Sequence, residues 1–288
     1  MATFFGPCLA CGGETRLVGR KKDCSYVSCR ECDSMQMDPV PTVEQLTAIY
    51  ADEYVEAGHL PGDDVISTIH ARQRKFSLNL IRKYCSPGPV LEVGPGHGLF
   101  MDELQQAGFR AVGLEASKQM ATSLRDRGFE VQQGYIDDPP AGAERFQGVF
   151  MSNVFEHLGN HERALKSLAS LLKPNGRIIT LQPTAYLGQL IARAYLTLFP
   201  DRLVPDLGTW LATPYHVLLI SPLGMKAMCA RVGLRLVEVL PAPTENRTGI
   251  LELVGKALTQ VNRVGVRLTW RWPLVPSHYF VLEKSSAA

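Results

Sequence analysis

From Pro89 onward, short apolar runs alternate with segments in which apolar residues recur every three or four positions. Val90–Val93, Ala111–Leu114, Glu130–Gly134, Gly148–Ser152, Arg177–Leu181, Leu234–Leu240 and Tyr279–Glu283 read as strands, and Gly98–Ala107 and Leu165–Leu172 read as amphipathic helices between them. The alternation predicts an α/β fold, a Rossmann-like doubly wound sheet of seven mostly parallel strands. No tidy crossover helix separates the last two strands, which are expected to close the sheet as an antiparallel edge.

Upstream the pattern changes. Pro39 and Pro41 break the chain, and Thr42–Tyr54 reads as a helix capped by Thr42, with Gln45 three residues on. Gly58–Asp64 reads as a loop. A second helix is expected from about Val65 to Cys85, its apolar stripe formed by Ile66, Ile69, Phe76, Leu80 and Ile81 and its solvated face by Arg72, Arg74 and Lys75. The expected organisation is therefore a small N-terminal unit at 1–40, a helical linker and cap at 41–88, and the doubly wound domain at 89–288 with an insert around 184–215.

The N-terminal unit is set apart by its cysteines. Five of the chain's seven lie between residues 8 and 32, while Cys85 and Cys229 stand alone and are expected to be small buried side chains. Cys8-Leu-Ala-Cys11 and Cys29-Arg-Glu-Cys32 are two C-x-x-C knuckles at the spacing of a tetrahedral zinc ribbon. Gly12-Gly13 permits the backbone turn that the first knuckle needs. Cys24 is a fifth thiol that could compete, though it lacks a partner at knuckle spacing. A closed four-thiolate site has no open position, so a Zn2+ on Cys8, Cys11, Cys29 and Cys32 is expected to hold structure rather than do chemistry. Residues 8–33 carry Arg16, Arg20, Lys21, Lys22 and Arg30 against Glu14, Asp23, Glu31 and Asp33, a near balance that disfavours a phosphate-binding ribbon. A formal net charge of +2 likewise leaves no global footprint for nucleic acid. The opening MATFFGPCLACGG lacks the long apolar stretch of a secretory signal, so a cytoplasmic location is expected.

The candidate chemistry starts at Gly94, Gly96 and Gly98, directly after the first strand of the doubly wound region. In such sheets a glycine-rich turn lets a ligand approach the main chain at a helix N-terminus. The second strand ends in Glu115, placed to accept hydrogen bonds from both hydroxyls of a ribose. A nicotinamide dinucleotide would want G-x-G-x-x-G, but here the third glycine comes one residue early and Leu99 stands where the fingerprint needs glycine. Glu92, just before the glycines, suits a cationic or amine-bearing ligand better than an anionic pyrophosphate.

LEVGPGHG, VGLEAS, MSNVFEHL and LKPNGRIITLQP, in that order over about residues 65–285, resemble the class I S-adenosylmethionine-dependent methyltransferases. The cysteine-rich start followed by Leu46-Thr-Ala-Ile-Tyr50 and Tyr54 is similar to bacterial members that modify sugars, lipids or natural-product intermediates. The resemblance implies that Glu92, Gly94, Gly96 and Gly98 form the turn on the methionine side of S-adenosylmethionine and that Glu115, followed by Ala116, holds the ribose. The family often ends its third strand in Gly-Asp, facing the adenine; here Tyr135 and Ile136 follow Gly134, with Asp137 and Asp138 beyond. The usual Phe-Asp before the fourth strand is Phe146-Gln147. Ser152 and Asn153 are expected near the methionine moiety.

Methyl transfer is an in-line displacement in which the enzyme aligns an acceptor and removes its proton. Glu156 and His157, just past the fourth strand, and His216 and Tyr215, before a helix starting near Ser221, are the candidates for that work. Asn153 is followed by Val-Phe rather than Pro-Pro-Tyr, so the arrangement that methylates exocyclic nucleobase amines is absent. The insert containing Tyr186, Leu187, Leu190, Ile191, Tyr195, Leu196 and Phe199 is too short and too interrupted by Gln189 and Arg193 to span a bilayer, and reads as a lid helix. Arg247, Lys256, Arg263, Arg267 and Arg271, with Trp270 and Trp272, form an amphipathic stretch whose alternatives are a membrane surface or an anionic acceptor. The leading expectation is a methyltransferase acting on carbon or oxygen of a small-molecule acceptor such as a sugar, a lipid-linked or a natural-product intermediate, with a position at the inner face of the membrane as a variant. An RNA methyltransferase with a zinc-ribbon recognition module and a non-catalytic zinc-containing binding protein are the alternatives. Oligomeric state is left open.

Overall fold

The computed structural model describes residues 5–21, 24–42, 44–46, 71–136, 145–184, 194–195, 197–199, 216–243, 250–269 and 275–285. The expected loop at 58–64, most of the insert with Tyr215, Asp137 and Asp138, Arg247 and Trp270–Trp272 lie outside the described residues. So do the side chains of Cys24 and Lys256.

Three N-terminal strands, β1 (Thr15–Lys21), β2 (Cys24–Cys29) and β3 (Met35–Asp38), pair antiparallel in sequence order. Of the expected Thr42 helix, residues 44–46 are described and helical. Its capping box is in place, with the Gln45 amide donating to Thr42 Oγ1 at 3.2 Å and the Thr42 amide to Gln45 Oε1 at 2.8 Å. The second expected helix is described as α1 (Ala71–Tyr84).

The doubly wound region runs β4 (Pro89–Val93), α2 (Leu99–Gln106), β5 (Arg110–Glu115), α3 (Lys118–Asp126), β6 (Glu130–Gln133), β7 (Phe146–Ser152), α4 (His161–Leu171), β8 (Leu172–Pro183), the short β9 (Leu218–Leu219), α5 (Pro222–Arg231), β10 (Leu234–Pro241), α6 (Ile250–Thr269) and β11 (Ser277–Lys284). Seven strands form one sheet in the order β10-β11-β8-β7-β4-β5-β6. The last two strands close one edge of the sheet with antiparallel pairing, as expected; β11 lies between β8 and β10 and is antiparallel to both, so the outermost strand β10 is parallel to the rest. Tyr279, Phe280, Val281 and Leu282 are all fully buried, as fits a strand with neighbours on both sides and packed layers over both faces, whereas β10 leaves Arg235 exposed.

Alternate residues of each strand feed two cores on opposite faces. Leu91, Val93, Val112, Leu114, Val149, Met151 and Ile178 pack with α4 and α5. Val90, Ala111, Val131, Phe150, Ile179 and Val281 pack with α1, α2 and α3. Cys85 is buried on the second side, its Sγ 2.7 Å from the place a Cβ on Gly148 would take, and Cys229 is buried on the first.

The N-terminal strands are not a free appendage. β9 joins their sheet beside β3, making the order β1-β2-β3-β9. Ser221, the N-cap of α5, donates to the Cys32 carbonyl, and its amide donates to Ser34 Oγ at 3.1 Å. Cys8, Ala10, Cys29 and Cys32 belong to the same core as α4 and α5. No helix among the described residues is long and apolar enough to cross a membrane.

His278 ties β11 to its surroundings. The Asn262 amide nitrogen lies 2.9 Å from Nε2, Nδ1 lies 3.0 Å from Thr184 Oγ1, and Asn262 Oδ1 takes the Val275 amide at 3.3 Å. That pattern keeps Nε2 an acceptor and Nδ1 protonated. Burial holds the His278 pKa down at about 3. A folded pKa below the unfolded 6.5 contributes stability that is complete above pH 6.5 and is lost as the pH falls toward 3, at up to ~1.4 kcal/mol per pH unit. Urea unfolding between pH 7 and 5 is expected to show a shallower loss in His278→Asn than in the unsubstituted protein.

Candidate functional site

The chain leaves β4, places β5 and β6 on one side and then returns to lay β7 on the other. The carboxyl ends of β4 and β7 therefore diverge, which is where open α/β sheets bind ligands. Glu92, Glu115, Ser152 and the residues after Gln133 all lie at the carboxyl ends of these four adjacent parallel strands.

The turn after β4 has Gly94, Gly96 and Gly98 at φ 67°, 53° and 74°, all in the region that favours glycine. Their surroundings differ. A Cβ on Gly94 would sit 2.7 Å from Val154 Cγ2 and one on Gly98 2.5 Å from Leu124 Cδ2, whereas one on Gly96 meets nothing within 4 Å. Gly94 and Gly98 are thus demanded by the protein's own packing, and Gly96 opens on free space. Arg127 clamps the turn by donating to the His97 carbonyl and to Asp102 Oδ2, the latter at 2.9 Å.

Two carboxylates flank this space. Glu115 accepts from the Ser117 amide at 2.9 Å and from the Gly96 amide at 3.4 Å, which holds it across the turn. Burial raises its pKa and these backbone donors partly offset the rise. Glu92 is 5% exposed, and its Oε2 has no hydrogen-bond partner among the described residues. Burial first, then the charges of Glu103 and Glu115, pushes its pKa well above the usual carboxylate range. Such a group is costly unless a cation or donor reaches it. Beyond β5, Ala116 is half-buried; beyond β6, Ile136 is buried and Tyr135 is exposed.

At the end of β7, Ser152 is half-buried and Asn153 takes φ 53°, its amide donating to the Leu181 carbonyl at 2.8 Å. A 3-10 turn, Phe155–His157, follows. Glu156 is 1% exposed with neither carboxylate oxygen hydrogen-bonded, and burial pushes its pKa up to about 8. His157 Nε2 stands 3.8 Å from Glu156 Oε1, and the His157 and His216 rings lie 5.1 Å apart. These two histidines, 59 positions apart in sequence, meet because the Val217 amide donates to the Glu156 carbonyl at 2.7 Å. The Val217 carbonyl in turn accepts from the Met37 amide at 3.0 Å, so β3 braces the same loop.

The four knuckle thiols converge: Cys8 and Cys32 sulfurs are 3.6 Å apart, those of Cys11 and Cys29 3.4 Å, and all four lie within 4.8 Å of one another. A tetrahedral ion with bonds of ~2.3 Å separates its sulfurs by about 3.8 Å, close to these values. Amides of Gly13 and Glu31 point at Cys11 and Cys29 Sγ at 3.4 Å each, as donors to thiolates would. Burial lifts the Cys29 pKa to about 12, and the Cys8 sulfur beside Cys32, together with burial, raises that of Cys32 as well.

Sequence reading missed Val154, which packs over Gly94, and Ser34 and Val217, which lock the N-terminal sheet to α5 and to Glu156. One signal was present. Gly224 stands in the first turn of α5, after Ser221-Pro222-Leu223, and a Cβ there would run into Ser34 Oγ and Ala10.

Residues 69–239 match a methyltransferase-domain family. The chain belongs to that family, the S-adenosylmethionine-dependent methyltransferases of the class I fold. A protein of Alkaliphilus oremlandii (strain OhILAs) described as an uncharacterized methyltransferase is 35% identical over 96 residues, covering 32% of this chain and 44% of its own length. The ubiquinone biosynthesis O-methyltransferase of Xanthomonas axonopodis pv. citri (strain 306) is 26% identical over 172 residues, covering 55% of this chain and 68% of that one. The chain therefore spans less than half of the first relative and about two thirds of the second. Among solved structures, the Burkholderia thailandensis 1,6-didemethyltoxoflavin-N1-methyltransferase, bound to 1,6-didemethyltoxoflavin and S-adenosylhomocysteine, has a TM-score of 0.58 at 12% identity and covers 95% of this chain and 100% of its own. It shares the fold.

The two kinds of glycine should separate on substitution. Gly98→Ala is expected to lower stability by about 1–3 kcal/mol more than Gly96→Ala, because overpacking against Leu124 adds to the backbone strain common to both. Urea denaturation of the two variants measures the difference.

Proposed function

We propose that the chain transfers the methyl group of S-adenosylmethionine to an oxygen or carbon of a small-molecule acceptor such as a sugar, a lipid-linked or a natural-product intermediate. The observation that carries this reading is the buried Glu92 with an unpartnered oxygen beside a turn that is open only at Gly96. An ammonium is the partner such a carboxylate lacks, and a pyrophosphate is not. The residues fit the cofactor: Glu92, Gly94, Gly96 and Gly98 hold its amino-acid end, Glu115 and Ala116 its ribose, and Tyr135 and Ile136 its adenine. Ser152 and Asn153 lie toward the methionine chain.

Bound S-adenosylmethionine supplies an activated methyl group on a sulfonium that is already a good leaving group. What is left to the chain is alignment and proton removal. Glu156, His157 and His216 form the acceptor-facing end of the site, where the acceptor's proton departs; Tyr215 stands next to them in sequence. The name of the Xanthomonas relative supports an oxygen acceptor.

The N-terminal cysteines are read as a structural Zn2+ site on Cys8, Cys11, Cys29 and Cys32. Three of the four are buried in a core shared with α4 and α5, which supports a role in holding this face of the enzyme over one in gripping RNA. Metal analysis of a Cys8→Ser, Cys29→Ser variant is expected to show loss of about one ion per chain; unchanged metal would overturn the assignment.

Calorimetric titration with S-adenosylmethionine and, separately, NADH tests the cofactor. S-adenosylmethionine is expected to bind, and Glu115→Ala to weaken it by about 1–3 kcal/mol, the scale of lost hydrogen bonds to a buried charge. Preference for NADH would refute the reading.

A further inference from the structure

A second cluster of metal-ligating side chains lies apart from the thiols. Glu156, His157 and His216 each offer one ligand atom within 4.8 Å of the others. Glu156 is the member that needs a partner: its carboxylate is sealed from solvent and neither oxygen is hydrogen-bonded within the described structure. Leaving it so costs several kcal/mol unless a cation or a proton reaches it. The two imidazoles are the more open members, His157 with 21% of its side chain exposed and His216 half-buried, so a cation seated here would face the site with positions to spare.

Resting on the methyl-transfer reading, we propose that Glu156, His157 and His216 bind a divalent cation that takes a hydroxyl oxygen of the acceptor. Two nitrogens and one carboxylate oxygen suit Zn2+, Mn2+ or Fe2+ rather than Ca2+, and three protein ligands leave room for a substrate oxygen. Bonds of about 2.0–2.2 Å require the ligands to draw together by less than an ångström from the 3.8 Å between His157 Nε2 and Glu156 Oε1. The braced backbone makes this a local adjustment, since the Val217 amide and Met37 fix the loop on which Glu156 and His216 both depend.

The cation selects an oxygen acceptor. Bound to it, a hydroxyl becomes more acidic and releases its proton to water. The oxygen lone pair forms the O–C bond as the S–C bond breaks with its electrons left on sulfur. The products are the methyl ether, the neutral thioether and one proton.

Mn2+ is the probe, because a hard ion does not displace zinc from the four thiols. Titration of protein loaded with a single zinc ion per chain, followed by electron paramagnetic resonance of free Mn2+, is expected to show one bound Mn2+ per chain. Glu156→Gln and His216→Ala are expected to weaken it at least tenfold. Electron spin-echo modulation on the unsubstituted protein should show Mn2+ coupled to imidazole nitrogen, a result that needs no variant to fold. No binding, binding unchanged in both variants, or bound Mn2+ without nitrogen coupling would each overturn the proposal. Calorimetry with S-adenosylmethionine on the same samples separates the two readings: cofactor binding without Mn2+ sinks the cation and leaves methyl transfer standing, whereas loss of cofactor binding sinks methyl transfer itself.

Discussion

The pairing of β4 with β5 on one side and β7 on the other is the constraint from which the site follows. Those parallel ladders run from Val90 to Val93 on both edges, so β4 has no freedom to shift, and every residue at its carboxyl end is positioned by two neighbours. Because the chain changes direction across the sheet at this strand, the loops after β4 and β7 part and leave a crevice. The glycine turn fills one wall of it. Val154, arriving from β7, packs on Gly94 and fixes how far the two walls separate.

Around that crevice the protein buries three carboxyl groups, and burial raises the pKa of each. Glu92 and Glu156 are both buried with unpartnered oxygens, and Glu115 is held mainly by backbone amides. Buried carboxyls of this kind are tolerated where a ligand completes them; Glu92 lies in β4 and Glu156 in the turn after β7, the two strands that part at the switch point.

The N-terminal sheet contributes more than a metal clip. Its edge strand β3 pairs with β9, and its hydrogen bond to Val217 passes directly to the backbone of Glu156. Ser34 and Ser221 join the second cysteine knuckle to the cap of α5. The segment that carries His216 is thus held from three sides, by residues far from it in sequence.

Much of this was legible in the chain. Strand and helix periods, the two knuckles and the capping box at Thr42 and Gln45 are local patterns, and each is set by the backbone chemistry of neighbours within a few residues. The three glycines were legible as a turn for the same reason, since positive φ is a local property. Which of them meets ligand was not, because Gly94 and Gly98 are filled by Val154 and Leu124 from distant segments while Gly96 is left open. The place of β11 inside the sheet could not be read either: its apolar run is compatible with an edge or an interior position, and only its pairing with β8 on one side and β10 on the other decides between them. The same holds for Glu156, an ordinary acid in the sequence that the fold removes from water, and for His216, brought to His157 by Val217, whose backbone bonds to Glu156 and to Met37. Sequence alone determined the fold class and the cofactor turn through short-range pattern, and the tertiary structure decided which charges are buried, because desolvation depends on what packs around a group and not on what precedes it in the chain.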